Sequence, residues 1–360
     1  MVQATPKQQE TIARYKAFWN REPVDRPLIT FGQPYPAKHL EMSRKLQEQS
    51  GPISLEQMNP EAFLPSYEAL FTFRSQLPSD AFYTPVPANG FPWMEAMAGC
   101  EVVASGQGFS ALHYVKDFDE LEKIPLSLES PWCQKYFSFL DVLGAHFKDR
   151  TGVGQPIFRG ISDLLSALMG PEQIVFCLYD EPERMKAFVK RVTAFYVEIY
   201  KEQMRRIPPF LGGYQIGFYD IWAPEPCLWL QDDNLVLFSP EMYEEFFLEF
   251  VSTITALTPY NLIHLHPVCF HNLDGLLSVD TLRVLEVNRE MTETSFSEQL
   301  PVLKKIQQTK LLDVQGTFSL EDLELTLNTL SHSGLQLKCL FESVDDIPRL
   351  HETFLKAVGK

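Results

Sequence analysis

From Gln155 onward the chain repeats one pattern, a short apolar run followed by an amphipathic helix, and this alternation is what β/α units around a parallel sheet require. The runs are PIFRG, GGYQIGFY, NLVLF, NLIHLH, LRVLEV, KLLDVQG and GLQLKCLF. Between them, Met185, Phe188, Val189, Val192, Phe195, Tyr196 and Ile199 form a stripe at helical spacing. Ser239-Pro240-Glu241 supplies an N-cap serine, a proline at the first helical position and an acid in the first turn. Ser319 to Asp322 and Ser343 to Asp346 resemble capping boxes with Asp in place of Glu, and the first of these helices is expected to end near Gly334. Upstream, Ile12, Tyr15 and Trp19 share one face of a helix predicted over Pro6 to Asn20, and PLITFG (Pro27 to Gly32) reads as the first strand. That makes eight runs, with AFYTPV (Ala81 to Val86) as a ninth candidate.

Eight strands is the number that closes a barrel. An open doubly wound sheet would want a GxGxxG turn after an early strand, and the sequence has none. The 360 residues would suit two domains at roughly 150 residues each, yet single α/β barrels also reach this length. The expected class is therefore α/β: a single (β/α)8 TIM barrel over 1–360, with an elaborated N-terminal third. Residues 1–150 would supply helices, the first strand and lid loops, and 151–360 the regular β/α units.

Charge and composition narrow the partners. Lys plus Arg number 31 against 47 Asp plus Glu, a net charge of −16 that repels phosphate backbones and anionic lipid heads, so nucleic acid is not an expected partner. No basic leader followed by an apolar stretch opens the sequence, and no run of about 18 apolar residues occurs, so a cytoplasmic protein without membrane association is expected. Cys100, Cys133, Cys177, Cys227, Cys269 and Cys339 are scattered without CxxC pairs, which suits reduced core thiols.

In a barrel, chemistry sits at the C-terminal strand ends. In Asn261-Leu262-Ile263-His264-Leu265-His266, alternation sends His264 and His266 to the same side. Two imidazoles on one strand end need one or two further donors to hold zinc; Cys269, Glu286 and Cys339 are the candidates. The alternative is that the histidines bond backbone carbonyls or each other without metal. Arg159 ends PIFRG, where its planar fork could hold a substrate carboxylate or pair with Asp163. Tyr219 ends GGYQIGFY as a substrate hydrogen-bond donor or a wall of the mouth, followed by Asp220 and Trp222. Asp232 and Asp233 precede NLVLF and so fall at the N-terminal side of that strand, bracing a loop. Trp93 and Met94 read as a buried anchor carrying a solvated Glu95, or as part of a lid. Nucleophile elbow, phosphate loop and HExxH are all missing from the sequence.

The order of segments carries a resemblance. RYKAFWNREPVDRPLI, FPWMEAMAGC, ISDLLSALMGPEQIVFCLYDEPERMKAFVKRVTAFY, FSPEMYEEFFLEF, IHLH with LDGLLSV, and GLQLKCLFESVDDI together resemble the uroporphyrinogen decarboxylase superfamily over nearly the full chain. The resemblance implies a single (β/α)8 barrel and one of two chemistries. Decarboxylases of the superfamily carry Arg-Gln-Ala-Gly-Arg-Tyr after the first strand to hold the substrate's carboxylates. Here ITFGQPYPAKHL offers only Lys38 and His39, and LKCLFES replaces the histidine near the last strand. An octa-anionic substrate would be poorly compensated. Methyltransferases of the superfamily hold zinc through His-x-Cys and a later Cys; His264 matches the first position, His266 stands in place of the cysteine, and Cys339 lies in the region of the later one. The resemblance thus implies a methyltransferase-like enzyme with His264 and His266 at its centre and Glu286 or Cys339 completing it. Arg159 and Tyr219 would orient a small-molecule substrate, zinc would deprotonate a thiol acceptor, and a separate partner protein would carry the corrinoid. Two alternatives remain open: cofactor-free decarboxylation of uroporphyrinogen or another carboxylic acid, and a non-catalytic barrel that binds a small molecule or a partner subunit.

Overall fold

Six parallel strands form the centre of the molecule, and the connections between them are the helices that the alternation demanded. The computed structural model describes residues 3–34, 39–106, 108–289 and 295–360, so Lys38 lies outside the described residues. In chain order the strands are β1 (Leu28–Gly32), β2 (Gly51–Pro52), β3 (Glu101–Ser105), β4 (Gly108–Leu112), β5 (Tyr214–Ile216), β6 (Ile221–Ala223), β7 (Leu228–Gln231), β8 (Asn261–Leu265), β9 (Val284–Arg289), β10 (Leu311–Gly316) and β11 (Leu335–Leu340). The central sheet runs β1-β11-β10-β9-β8-β7 with every pair parallel. In the N-terminal third, β2-β3-β4 make a separate antiparallel sheet.

Side-chain alternation divides each central strand between two environments. Ile29, Phe31, Ile263, Leu265, Leu285, Val287, Leu312, Val314, Leu337 and Cys339 pack in the large apolar cluster with the helices. Leu28, Trp229, Leu262, Val284 and Leu311 belong to a second cluster, which also takes Tyr15, Phe18 and Trp19 from helix Pro6–Asn20. That helix closes the N-terminal end of the sheet: the Trp19 indole N–H donates to the Trp222 carbonyl at 2.8 Å and the Tyr15 hydroxyl to the Asp80 carbonyl at 2.6 Å. Two residues further along the same faces stand Lys338, Asp313, Glu286 and His264, all buried. A polar layer thus lies above an apolar one on the inner side of the sheet.

Helix ends follow their sequence signals. Thr5 caps Pro6–Asn20 in a capping box with Gln8, Ser239 caps Pro240–Phe246, and Ser319 caps Leu320–Thr329. The last of these stops at Thr329, short of Gly334, which takes φ +70 just before β11. Ser343 opens a single 3-10 turn, Val344–Asp346, ahead of helix Ile347–Ala357, and the apolar stripe beginning at Met185 lies in helix Pro182–Arg206.

Four strand expectations are corrected. NLVLF is a 3-10 turn, Asp233–Leu237, because Asp163 accepts the backbone N–H groups of Asp233 and Asn234 at 3.0 and 2.9 Å and bends the chain there. The true strand, β7, ends two residues before Asp233, which places that residue beyond a C-terminal strand end. GGYQIGFY gives only β5, which turns back antiparallel onto β6 through Asp220 at φ +61. PIFRG contributes one isolated parallel bridge, Arg159 to Gln231, and AFYTPV forms no strand. Prolines remove an amide donor at Pro85, Pro87 and Pro156, which disfavours a continuous ladder. Both segments nonetheless touch the sheet. Asp80 N–H donates to the Ile29 carbonyl at 2.8 Å, Gly154 N–H to that of Pro85 at 3.0 Å, and Gly160 N–H to that of Gln231. Among the described residues the ladder itself has six strands and does not close.

Candidate metal centre

The centre is built where β7, β8 and β9 lie side by side. Register pairs Gln231 with His264 and His264 with Glu286. His264 stands near the end of β8, and His266 continues the extended backbone one residue past it (φ −86, ψ 145) before Pro267 starts a 3-10 turn. The two rings meet edge to face with centroids 4.5 Å apart.

His264 Nδ1 is hydrogen-bonded to Glu286 Oε2. Glu286 is fully buried, and a proton on Nδ1 of His264 satisfies its Oε2, the arrangement that turns the lone pair of Nε2 to the other side. There Nε2 of His264 lies 3.0 Å from Nε2 of His266, with Asp233 Oδ1 at 3.2 Å from His266 Nε2 and 3.8 Å from His264 Nε2. One atom from each of three residues therefore converges on one point. Two imidazoles and a carboxylate are a donor set for a divalent transition metal, with a carboxylate behind one imidazole fixing its tautomer.

Asp233 is held by a clasp of carboxylates. Asp163, near the start of helix Ile161–Met169, accepts from the Asp233 and Asn234 backbones and from Asn234 Nδ2 at 2.8 Å. In return Asp232 accepts from the Asp163 backbone at 3.2 Å and from the Ser162 hydroxyl. Gly160 makes this approach possible, since a Cβ there would sit 2.7 Å from the Asp232 carboxyl carbon. Burial, with the neighbouring carboxylates adding to it, pushes Asp163 well up, and burial pushes Asp232 up to about 7. Asp233 goes the other way: burial opposes its charge, but the hydrogen bond from His266 and the charge of His264 outweigh this and hold it at about 2. It is the ionised member of the three.

The other expected site residues are distributed as follows. Glu286 reaches the centre, but from behind His264, on Nδ1. Tyr219 is fully buried beside the pair, its ring stacked 6.2 Å from His264 and edge-on to Trp229 at 5.0 Å. Burial, then the charge of Glu286, pushes its hydroxyl well up. Arg159 pairs with Glu95 at 2.9 Å, not with Asp163. Glu95 is accordingly buried within the short helix Trp93–Met97, which corrects the expectation of a solvated acid on an apolar anchor. Cys339 is not brought to the pair: it alternates with Lys338 and faces the helices in the apolar cluster. Cys269 lies close by, its Sγ 3.8 Å from the Asp233 carbonyl, and burial pushes its thiol up to about 12, so it is a protonated neighbour. Asp233 was the residue sequence reasoning misassigned; the run CLWLQ ending just before it was the available signal.

No family model matches the chain. No curated protein matches it in sequence. Among solved structures, a methyltransferase from Methanosarcina mazei aligns over 96% of this chain and 98% of its own, with a TM-score of 0.66 at 13% identity. The two chains share an α/β fold with a mostly parallel central sheet, in this protein carrying a three-residue constellation of metal-ligand type at the C-terminal end of adjacent strands.

Proposed function

We propose that this chain is a methyltransferase-like enzyme of the uroporphyrinogen decarboxylase superfamily, built on a (β/α)8 barrel and acting on a small thiol substrate with a corrinoid carried by a separate protein. The barrel reading is supported by the hydrogen bonds from Asp80 to Ile29, from Gly154 to Pro85 and from Gly160 to Gln231, through which Asp80–Val86 and Gly154–Gly160 would serve as the two further segments between β1 and β7. The six unpaired, buried cysteines suit a reducing, cytoplasmic setting.

The observation that carries the functional reading is the convergence of His264 Nε2, His266 Nε2 and Asp233 Oδ1. Zinc fits two imidazoles and a carboxylate, and when bound it supplies an open coordination position and stabilises a thiolate at neutral pH. Glu286 keeps the proton on Nδ1 of His264 and so keeps the lone pair of Nε2 turned to the centre. Asp163 fixes the backbone that presents Asp233. Tyr219 stacks on the His264 ring, and Trp229 packs edge-on against Tyr219.

Elemental analysis of untagged protein purified without chelators tests the metal, and thiol-dependent loss of the Co–CH3 absorbance of methylcobalamin, with 2-mercaptoethanol as acceptor, tests the chemistry. The expected result is about one zinc per chain, lost together with methyl transfer in His264→Ala, His266→Ala and Asp233→Ala. Metal-free protein without thiol methylation overturns the reading. Release of CO2 from uroporphyrinogen by the same sample would replace it with decarboxylation, and ligand binding without any turnover would replace it with a binding barrel.

A further inference from the structure

Beyond the C-terminal end of β1 a pocket opens that shares no lining residue with the metal centre. Its polar wall is formed by His39, Arg74, Asn89, Asp220 and Lys338, and Leu40, Leu70 and Val86 supply apolar surface. Asp220 is the hub. It is held in the left-handed region at φ +61 with its side chain 2% exposed, and its Oδ2 meets Arg74 Nη2 at 2.6 Å and Lys338 Nζ at 3.1 Å. One carboxylate thus pairs with the Arg74 guanidinium and with the Lys338 amine; burial pushes Lys338 down, and Asp313 lies near it as well, so Arg74 carries the lasting positive charge of the pocket.

Arg74 makes no other hydrogen bond among the described residues, so most of its guanidinium donors remain available at the pocket wall, with 16% of its side chain exposed. A guanidinium is charged at every pH the protein meets, and its planar fork matches a carboxylate. We infer that this pocket binds a small organic anion, a single carboxylate on a short apolar body, seated on Arg74 and Lys338. The single guanidinium fork of Arg74 suits one carboxylate, not a polyanion, and the leucine and valine walls suit a short hydrocarbon. The inference stands apart from the methyl-transfer reading because none of its residues belongs to the metal centre.

Isothermal titration calorimetry on the full chain tests it with hexanoate, using hexanol and hexylamine as neutral and cationic matches of the same length. Hexanoate is expected to bind saturably and both comparators at least tenfold more weakly, with Arg74→Gln weakening hexanoate about tenfold or more. Asp220→Asn keeps the side-chain shape, and Asn tolerates the left-handed backbone. It removes the internal counter-ion, so hexanoate should bind about threefold or more tighter. Should Arg74→Gln not fold, this variant decides: tightening supports the inference, and equal or weaker binding overturns it. His264→Ala should leave hexanoate affinity within about twofold of the parent. Loss of binding in that variant would place the anion on the metal centre and overturn the inference, as would hexanol binding equal to hexanoate, or no saturable hexanoate binding at all.

Discussion

Glu286 determines which nitrogen of His264 meets the rim, and so it governs the centre without adding a ligand to the converging set. Glu286→Gln should keep the fold while lowering zinc affinity about 10- to 100-fold, measured by competition with a chromophoric chelator beside an unchanged circular dichroism spectrum. The imidazole pair was legible in the sequence because alternation by two along NLIHLH depends on nothing outside the strand. The role of Glu286 was not, since it follows from the β8–β9 register. Asp233 was misread through a strand boundary shifted downstream, an error that reversed its end of the sheet. Cys339 was misassigned for the opposite reason: proximity in sequence to a motif says nothing about face, and alternation with Lys338 turns it outward. Asp220, Asp313 and Lys338 could not be recognised as a buried set, because their burial depends on strands far apart in sequence lying side by side. For Asp313, burial and then the charge of Glu286 push the carboxyl well up.

Helix-level signals were the most readable, as Pro6–Asn20 illustrates: its cap, its proline and its apolar face are all local. What the sequence concealed is that this face plugs the inner apolar layer. Trp19 is 2% exposed and touches both the β5–β6 hairpin and Tyr260. Trp19→Ala should cost about 3–5 kcal/mol in chemical denaturation, with zinc content unchanged below the transition. A second contact joins helices Pro60–Arg74 and Pro131–His146: Glu68 receives a two-pronged bond from Arg150 at 2.6 and 2.8 Å and lies 2.7 Å from His146. The Arg150 bond holds the Glu68 carboxyl at about 2, below its ordinary 4.5. A lowered carboxylate stabilises the fold above the unfolded value and loses that contribution as pH falls through the folded one. Thermal melts of Glu68→Gln should therefore sit below the parent at pH 7 and converge with it near pH 2. Solvent access to both partners keeps the gap to about 1 kcal/mol or less.

At the scale of the whole molecule, the segments that line the inner side of the sheet differ in how firmly they are tied. Six strands are cross-linked along their lengths, whereas Phe82, Tyr83, Thr84 and Val86 donate no backbone hydrogen bond among the described residues. Those four amides should exchange with deuterium faster than the amides of β8, β9 and β10, read by peptide-resolved mass spectrometry at neutral pH. Equal protection all round would mean that the segment is as firmly tied as the ladder. Three of the four residues also border the Arg74 pocket. The wall therefore has a seam, and it runs along the Arg74 pocket, while the imidazoles stand on the zipped side. Breathing of the wall would admit a guest at the seam and leave the opposite constellation undisturbed.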